Sequence, residues 1–362
     1  MGKRLKIGII GSGGIAGAHV RQYKKMDDVD IVAVADIVPG KAAEFIAKQE
    51  LAGASAFEDH RRLLELDLDG VSICTPNVAH YRTTIDALEA GKQVLLEKPM
   101  SVTLEEAIEM VQTAKRTGNM LTIGFQPRYD PNMRAIRELV QSGILGKVYY
   151  IQTGGGRRRG MPGGTFIRQE LAGSGALADI GCYSLDMALN SIGYPKPLTV
   201  SAYSSNYFGT NPKYHKEADR FNVEDFGMAM VRFEGDLVLN FKISWAMHMD
   251  SLGPTLFLGT DAGLKVTPPA TNSPWGGVWD GGIGTVTLFH DIAGHHTESP
   301  ITVVEPKNDR FYDKVRDFVE AVQEGRPAPI PGEQILINQA IIDGMLRSAA
   351  ARREVDIHIP EV

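Results

Sequence analysis

An apolar run that gives way to glycines constrains this chain more than any other feature: Lys6-Ile7-Gly8-Ile9-Ile10-Gly11-Ser12-Gly13-Gly14-Ile15-Ala16. The run predicts a buried strand, and glycines then stand where a helix should begin. Gly11-x-Gly13-x-x-Ala16 matches the dinucleotide fingerprint G-x-G-x-x-G/A. Gly11 allows the tight turn, Gly13 lets backbone approach a diphosphate, and small Ala16 lets the helix pack on the strand. The helix start offers unpaired N–H groups and a partial positive charge, so Gly11, Ser12, Gly13, Gly14 and Ile15 are the expected diphosphate cradle. A glycine triplet alone is weak evidence. Val29 to Ala35 adds a second strand ending at Asp36, about 20 residues further on, where an acid binds ribose hydroxyls. A carboxylate there repels a 2′-phosphate, so NAD is expected rather than NADP. The plain alternative for Asp36 is a polar residue closing a strand.

The chain has 362 residues, room for two domains of ordinary size. Its 43% hydrophobic and 23% charged residues exclude a disordered chain. A net charge of −6 with no long basic block argues against nucleic acid as a partner. No apolar run is long enough to span a bilayer and the start lacks a signal-peptide core, so a cytoplasmic protein without a membrane partner is expected. Cys74 and Cys182 lie in apolar contexts and are expected as small core residues in a reducing compartment.

The first third alternates strand-like and helix-like patterns, which predicts a parallel sheet with crossover helices. Helices are expected from Pro39 to Lys48, around Arg61 to Glu65, and from Tyr81 to Ala90. Strands are expected at Val71 to Cys74, Val94 to Leu96 and Leu121 to Ile123. Thr103-Leu104-Glu105-Glu106 is a capping box that opens another helix. Asp130-Pro131 opens a helix ending near Gly143, and Val148 to Thr153 is a strand before a loose loop of glycines and arginines. After a helix around Asp179 to Leu189 the chain turns strand-rich, as in a mostly antiparallel sheet: Val200–Tyr207, Phe226–Phe233, Leu237–Ile243, Thr255–Leu258, Val286–His290 and Ile301–Val304. Helices at Asp309–Glu324 and Glu333–Arg352 close it. The fold class is therefore α/β, with a Rossmann domain over 1–125 and an α/β domain with a large, mostly antiparallel open sheet over 126–362.

Two clusters carry candidate chemistry. Glu97-Lys98-Pro99 follows a predicted parallel strand at the sheet edge where ligands bind in open α/β sheets. A lysine there can neutralise or hydrogen-bond a reacting oxygen, and the Lys98–Pro99 bond can be cis. The second cluster runs from Gly173 to Asp186. On a helix, Asp179, Tyr183 and Asp186 fall on one face at i, i+4 and i+7. The alternatives are an ordinary solvated lysine in the first case, and a polar face or helix cap in the second.

Together, Gly11-x-Gly13-x-x-Ala16, Glu97-Lys98-Pro99 and Asp179-x-Gly181-x-Tyr183-x-x-Asp186 resemble the Gfo/Idh/MocA oxidoreductases, the group of glucose–fructose oxidoreductase and inositol dehydrogenase. Thr75-Pro76-Asn77-x-x-His80 and the closing helix with Ser348-Ala349 fit as well. The resemblance implies an NAD-dependent dehydrogenase or reductase acting on a secondary hydroxyl of a sugar, glycoside or cyclitol. It implies that Thr75, Pro76, Asn77, His80, Glu97 and Lys98 join the cofactor site. Lys98, Asp179 and Tyr183 are then the catalytic residues, Asp179 and Tyr183 also touching substrate. Tyr183 stands where many members have histidine. A free tyrosine has a pKa of roughly 10 and needs a cation such as Lys98 to accept a proton near neutrality. The resemblance further implies a homodimer or homotetramer through the open sheet. Two alternatives are an NAD-dependent glycoside hydrolase working by transient oxidation and a non-catalytic sugar or NAD sensor.

Arg128 and Arg158 are weaker substrate-binding candidates. Arg157-Arg158-Arg159 is expected as a solvated loop with at most one arginine turned inward. His248, His295 and His296 lack a metal-ligand spacing, so no metal is expected. Trp245, Trp275 and Trp279 are expected in packing, with stacking on a sugar ring as the alternative.

Overall fold

The computed structural model describes residues 4–268, 283–304 and 308–360, which divide into two compact units. Trp275 and Trp279 lie outside the described residues. In the first unit β1 (Leu5–Ile10), α1 (Gly14–Tyr23), β2 (Val29–Ala35), α2 (Lys41–Gln49), β3 (Ser55–Phe57) and α3 (His60–Leu64) come first. They are followed by β4 (Gly70–Ile73), α4 (His80–Glu89), β5 (Gln93–Leu96), α5 (Leu104–Thr117) and β6 (Leu121–Ile123). The strands form a parallel sheet in the order β3-β2-β1-β4-β5-β6. Successive strands run outward from β1 on both sides, so the carboxyl ends of β1 and β4 make the crevice where such sheets bind ligands. The capping box on α5 is present, with Thr103 and Glu106 each bonding the other's backbone N–H.

The second unit begins with α6 (Pro131–Gln141), β7 (Val148–Gly156), α7 (Gln169–Ala172) and α8 (Cys182–Ile192), α8 continuing a π-helical turn at Leu177–Gly181. Then come β8 (Pro197–Ser205), β9 (Phe226–Phe233), β10 (Leu237–Ser244), β11 (Thr255–Gly259), β12 (Ala262–Val266), β13 (Val286–Ile292) and β14 (His295–Ile301). In chain order α9 (Arg310–Glu324), which belongs to the first unit, and α10 (Gly332–Ala351), most of which belongs to the second, follow, and β15 (Val355–Asp356) is a short last strand. The sheet order is β14-β13-β12-β11-β7-β10-β9-β8-β15, antiparallel except for β7 beside β10. The α/β class with a parallel first sheet and a mostly antiparallel second one is as the sequence predicts.

Three expectations change. The first is the domain division: the first unit runs to Gln126 but also takes up Asp309–Leu336, whereas the second comprises Pro127–Asn308 and Ile337–Ile359. The reason is packing. Val315, Phe318 and Val319 on α9 join the core formed by Leu5, Ile7, Ile9, Ala16 and Val20, and burying such a side chain stabilises by roughly 1.5–3 kcal/mol. Second, Gly154, Gly155 and Gly156 are strand rather than loose loop, paired with Lys242, Ile243 and Ser244. A Cβ at Gly154 would stand 1.7 Å from the Lys242 carbonyl oxygen, so glycine permits the close strand contact. Third, the last hairpin closes with β14 at His295–Ile301 rather than with a strand at Ile301–Val304, and β3, β12 and β15 are additional. Among the described residues no helix is long and apolar enough to cross a membrane.

Candidate active site

The glycine turn after β1 is shaped for a phosphate. Gly11 has φ +90, and a Cβ on it would meet the Cys74 carbonyl oxygen at 2.6 Å. Only glycine fits there. Around Gly13 and Gly14 an added Cβ would meet nothing within 4 Å, so the backbone is open to approach. Helix α1 has no side-chain cap and no acid in its first turn. Its positive end is thus left to an outside anion, which is the environment a diphosphate requires.

Asp36 follows β2 beside this turn. Its Oδ2 accepts from Ser12 N (3.0 Å), Ser12 Oγ (2.6 Å) and Lys41 Nζ (2.9 Å), and its Oδ1 from Val38 N (3.1 Å). Burial opposes the charge, but these donors outweigh it and hold the carboxyl below its ordinary range. An ionised acid is therefore fixed against the glycine turn, and exposed Ile37 and Val38 follow it. The residues present fit a bound dinucleotide.

The turns after β4 and β5 lie on the same carboxyl edge. Thr75 and Pro76 lead into a 3₁₀ turn at Asn77–Ala79. His80, expected near cofactor, clips two turns together. Its Nδ1 lies 2.7 Å from the Pro99 carbonyl oxygen and its Nε2 3.0 Å from that of Thr75. The ring is buried, and burial lowers its pKa despite both carbonyls. Lys98 is half-buried and precedes a cis Lys98–Pro99 bond.

The Glu97 side chain likewise has a partner within the first unit. Its carboxylate turns into the first unit, where Oε1 meets His19 Nε2 at 2.7 Å and Lys314 Nζ at 2.5 Å. His19 Nδ1 is 3.2 Å from Ser72 Oγ, which is 2.8 Å from the Tyr23 hydroxyl. With Glu97 ionised, Tyr23 donates to Ser72, Ser72 donates to Nδ1, and Nε2–H donates to Glu97, while Lys314 Nζ, 3.2 Å from the same Nε2, donates to Glu97 rather than to the ring. Burial pushes against the Glu97 charge, but Lys314 and then His19 hold its carboxyl far below the ordinary range. Neither His19 nor Lys314 was expected from sequence. A signal was present, because each is a polar residue on an otherwise buried helix face: Lys314 stands one turn before Phe318 and two before Ala321.

In the second unit the predicted stripe divides. Asp179 lies in the π-helical turn, and its Oδ2 accepts from Trp245 Nε1 at 3.0 Å. Trp245 is fully buried, so it packs as expected and also orients the acid. Asp186 is engaged by Arg128, with Nε–Oδ2 2.9 Å and Nη2–Oδ1 2.7 Å, and by the Tyr194 hydroxyl at 2.8 Å. Arg128 is therefore held as the partner of Asp186. Burial works against its charge, yet Asp186 holds the guanidinium above its usual value. Tyr183 is buried and lines a small cavity with Arg128 and Asp186.

The start of the π-helical turn is capped by a residue the sequence did not flag. Glu224 Oε1 accepts from Ser174 Oγ (2.7 Å), Gly175 N (2.8 Å) and Leu177 N (3.0 Å). Of the three arginines, Arg157 is the buried one, donating to the Gly160 carbonyl at 2.8 Å. Arg158 is exposed, and Arg159 stacks on Phe208 and Tyr214 with centroid distances of 5.3 and 5.2 Å. His248 packs against Phe208, and exposed His296 pairs with Asp291 at 2.7 Å.

An uncapped glycine turn and an ionised acid on a parallel sheet, followed by a second unit carrying an oriented carboxylate, define a two-unit dinucleotide-dependent protein. Residues 5–125 match the family model described as an oxidoreductase family with an NAD-binding Rossmann fold, and residues 133–265 match the GFO/IDH/MocA C-terminal domain. The chain belongs to the Gfo/Idh/MocA oxidoreductase family. It is 34% identical over 273 residues to D-glucoside 3-dehydrogenase of Escherichia coli (strain K12), covering 73% of this chain and 77% of that one. It is 36% identical over 145 residues to an inositol 2-dehydrogenase/D-chiro-inositol 3-dehydrogenase of Lactiplantibacillus plantarum, covering 39% of this chain and 41% of the relative. A solved structure of levoglucosan dehydrogenase with NADH and levoglucosan matches with a TM-score of 0.82 at 22% identity, over 98% of this chain and 100% of that one, a likeness of fold.

Proposed function

We propose that this chain is an NAD-dependent dehydrogenase that oxidises a secondary hydroxyl of a sugar, glycoside or cyclitol. The observation that carries this reading is the shared sheet edge: Lys98 follows β5 on the side where the uncapped α1 terminus and Asp36 stand. The names of the relatives, dehydrogenases of a glucoside and of inositols, support the substrate class. Gly11, Ser12, Gly13, Gly14 and Ile15 would hold the diphosphate and Asp36 the adenosine ribose. An acid at Asp36 favours NAD, although Lys41 beside it offers a cation and one relative is named as NADP-dependent. Thr75, Pro76 and Asn77 line the same edge.

The bound nicotinamide supplies hydride acceptance. What the chain itself supplies is proton handling and orientation. Lys98 hydrogen-bonds the reacting oxygen and offsets the negative charge that develops as its proton leaves. Tyr183 is the group that takes that proton. Asp179, oriented by Trp245, accepts from a neighbouring substrate hydroxyl.

The test is a panel of sugars, glycosides and inositols with NAD and NADP, read by absorbance of the reduced nicotinamide. Lys98→Ala should lower turnover on the order of 100-fold while coenzyme affinity by calorimetry changes little. No reduced coenzyme across the panel, or unchanged turnover in that variant, overturns the reading. The outward face of β8 and β9 exposes Tyr203, Met228 and Met230, with Met228 paired directly to Tyr203. We assign this face to a homo-oligomer contact. Light scattering should report more than one chain per particle, and a monomer at micromolar concentration would reject the contact.

A further inference from the structure

The buried network beneath Lys98 has a consequence for the reaction that rests on the functional reading above. Lys314 is 2% exposed on the apolar face of α9, where an unpaired ammonium is strongly unfavourable. Its partner is the Glu97 carboxylate, itself 5% exposed and held by His19 from α1 as well. A Cβ on Gly124 would stand 2.9 Å from Glu97 Oε1, so the same oxygen is packed closely from the end of β6 too. Three elements distant in sequence thus converge on one carboxyl group.

Glu97 and Lys98 are neighbours at the end of β5. Glu97 is buried whereas Lys98, the next residue in the turn after β5, is half-buried, so the two side chains are held in different surroundings. If Glu97 lost its buried cation, the carboxylate would need another, and Lys98 is the ammonium tethered to it by a single peptide unit. We propose that Lys314 is a positioning residue for Lys98: by retaining the Glu97 carboxylate in the interior, it prevents that carboxylate from capturing the Lys98 ammonium. Lys314 touches neither substrate nor coenzyme in this account. Its effect is exerted through Glu97, with His19 completing the clamp.

The experiment compares the full-length wild type with Lys314→Met, Lys314→Arg and the Lys314→Met/Glu97→Gln pair, by crystal structure, steady-state kinetics and calorimetry with NAD. In Lys314→Met, Lys98 Nζ should move to within hydrogen-bond distance of a Glu97 oxygen. Turnover should fall on the order of 100-fold, the loss associated with misplacing a reacting group by about an ångström. The coenzyme Kd should change by less than about threefold, because the glycine turn and Asp36 are untouched. Adding Glu97→Gln removes the capturing charge and should recover at least roughly tenfold in turnover. A merely structural Lys314 would lower the melting temperature without this rescue.

If Lys98 keeps its position in Lys314→Met, or if the loss persists in the folded double variant, the inference is wrong. Should Lys314→Met not fold, the other two variants decide. Lys314→Arg retains the buried charge and should keep Lys98 in its wild-type position, as should the double variant, and capture of Lys98 in Lys314→Arg would overturn the proposal. A wild type inactive across the whole panel would defeat the functional reading, while the crystallographic position of Lys98 would still decide the inference.

Discussion

Among the described residues each unit buries one glutamate, and the two are treated in opposite ways. Glu97 in the first unit shares its oxygen with the Lys314 ammonium and the His19 ring, and its carboxyl stays well below the ordinary range. Glu224 in the second unit is held by the Ser174 hydroxyl and the N–H groups of Gly175 and Leu177, all neutral, and burial pushes its pKa up. The same side chain at similar depth therefore gives up its proton more readily than a free carboxyl in one place and less readily in the other. An opposite charge offsets desolvation where neutral donors alone do not. The ionised glutamate lies next to the lysine proposed to face the substrate. The other secures the start of the helix that carries Asp179 and Tyr183.

Substitutions can break this contrast. Glu97→Gln should have the largest effect, destabilising by about 3–5 kcal/mol, because it leaves the Lys314 ammonium buried without its counter-charge. Urea unfolding measures it, and a loss below about 1 kcal/mol would show that Lys314 finds another partner.

The pH dependence sharpens the contrast, since the two groups act with opposite sign. The folded pKa of Glu97 is lowered from 4.5, so its stabilisation is complete above that value and is lost as pH falls below it. That of Glu224 is raised from 4.5, so its contribution is complete below that value and is lost as pH rises through the raised one. Unfolding midpoints measured across this range should show the deficit of Glu97→Gln shrinking in acid. Glu224→Gln should gain on the wild type as pH rises, and parallel curves for the two variants would contradict the assignment.

The smallest effect is expected from Glu224→Gln at neutral pH, within about 1 kcal/mol of wild type or slightly stabilising. The amide oxygen can still accept from Ser174, Gly175 and Leu177 while no charge is buried. A loss as large as that of Glu97→Gln would mean that the two sites do not differ as described.

Much of this molecule could be read from its residues because the relevant physics is local. The capping box at Thr103 and the Asp130-Pro131 helix start each depend on neighbours within a few positions, the turn at Gly11 and the acid at Asp36 belong to one spaced motif, and all are present. Alternation gave the parallel first sheet and most of the antiparallel second one. Glycine-rich composition misled at Gly154 to Gly156, because it cannot distinguish a loose loop from a strand pressed against its neighbour.

What tertiary structure decided is partnership. Helical spacing placed Asp179, Tyr183 and Asp186 on one stripe, but Asp179 went to Trp245 and Asp186 to Arg128 and Tyr194. Glu97 and His80 sit in motifs suggestive of cofactor contact, yet their side chains turned inward to bind parts of the first unit together. Lys314 lies 217 residues from Glu97 and belongs to a helix that returns to the first unit. Sequence fixes which charges exist and which short segments become strands or helices. Which charges meet depends on how distant elements pack, and in a buried site that meeting determines whether an acid keeps its proton.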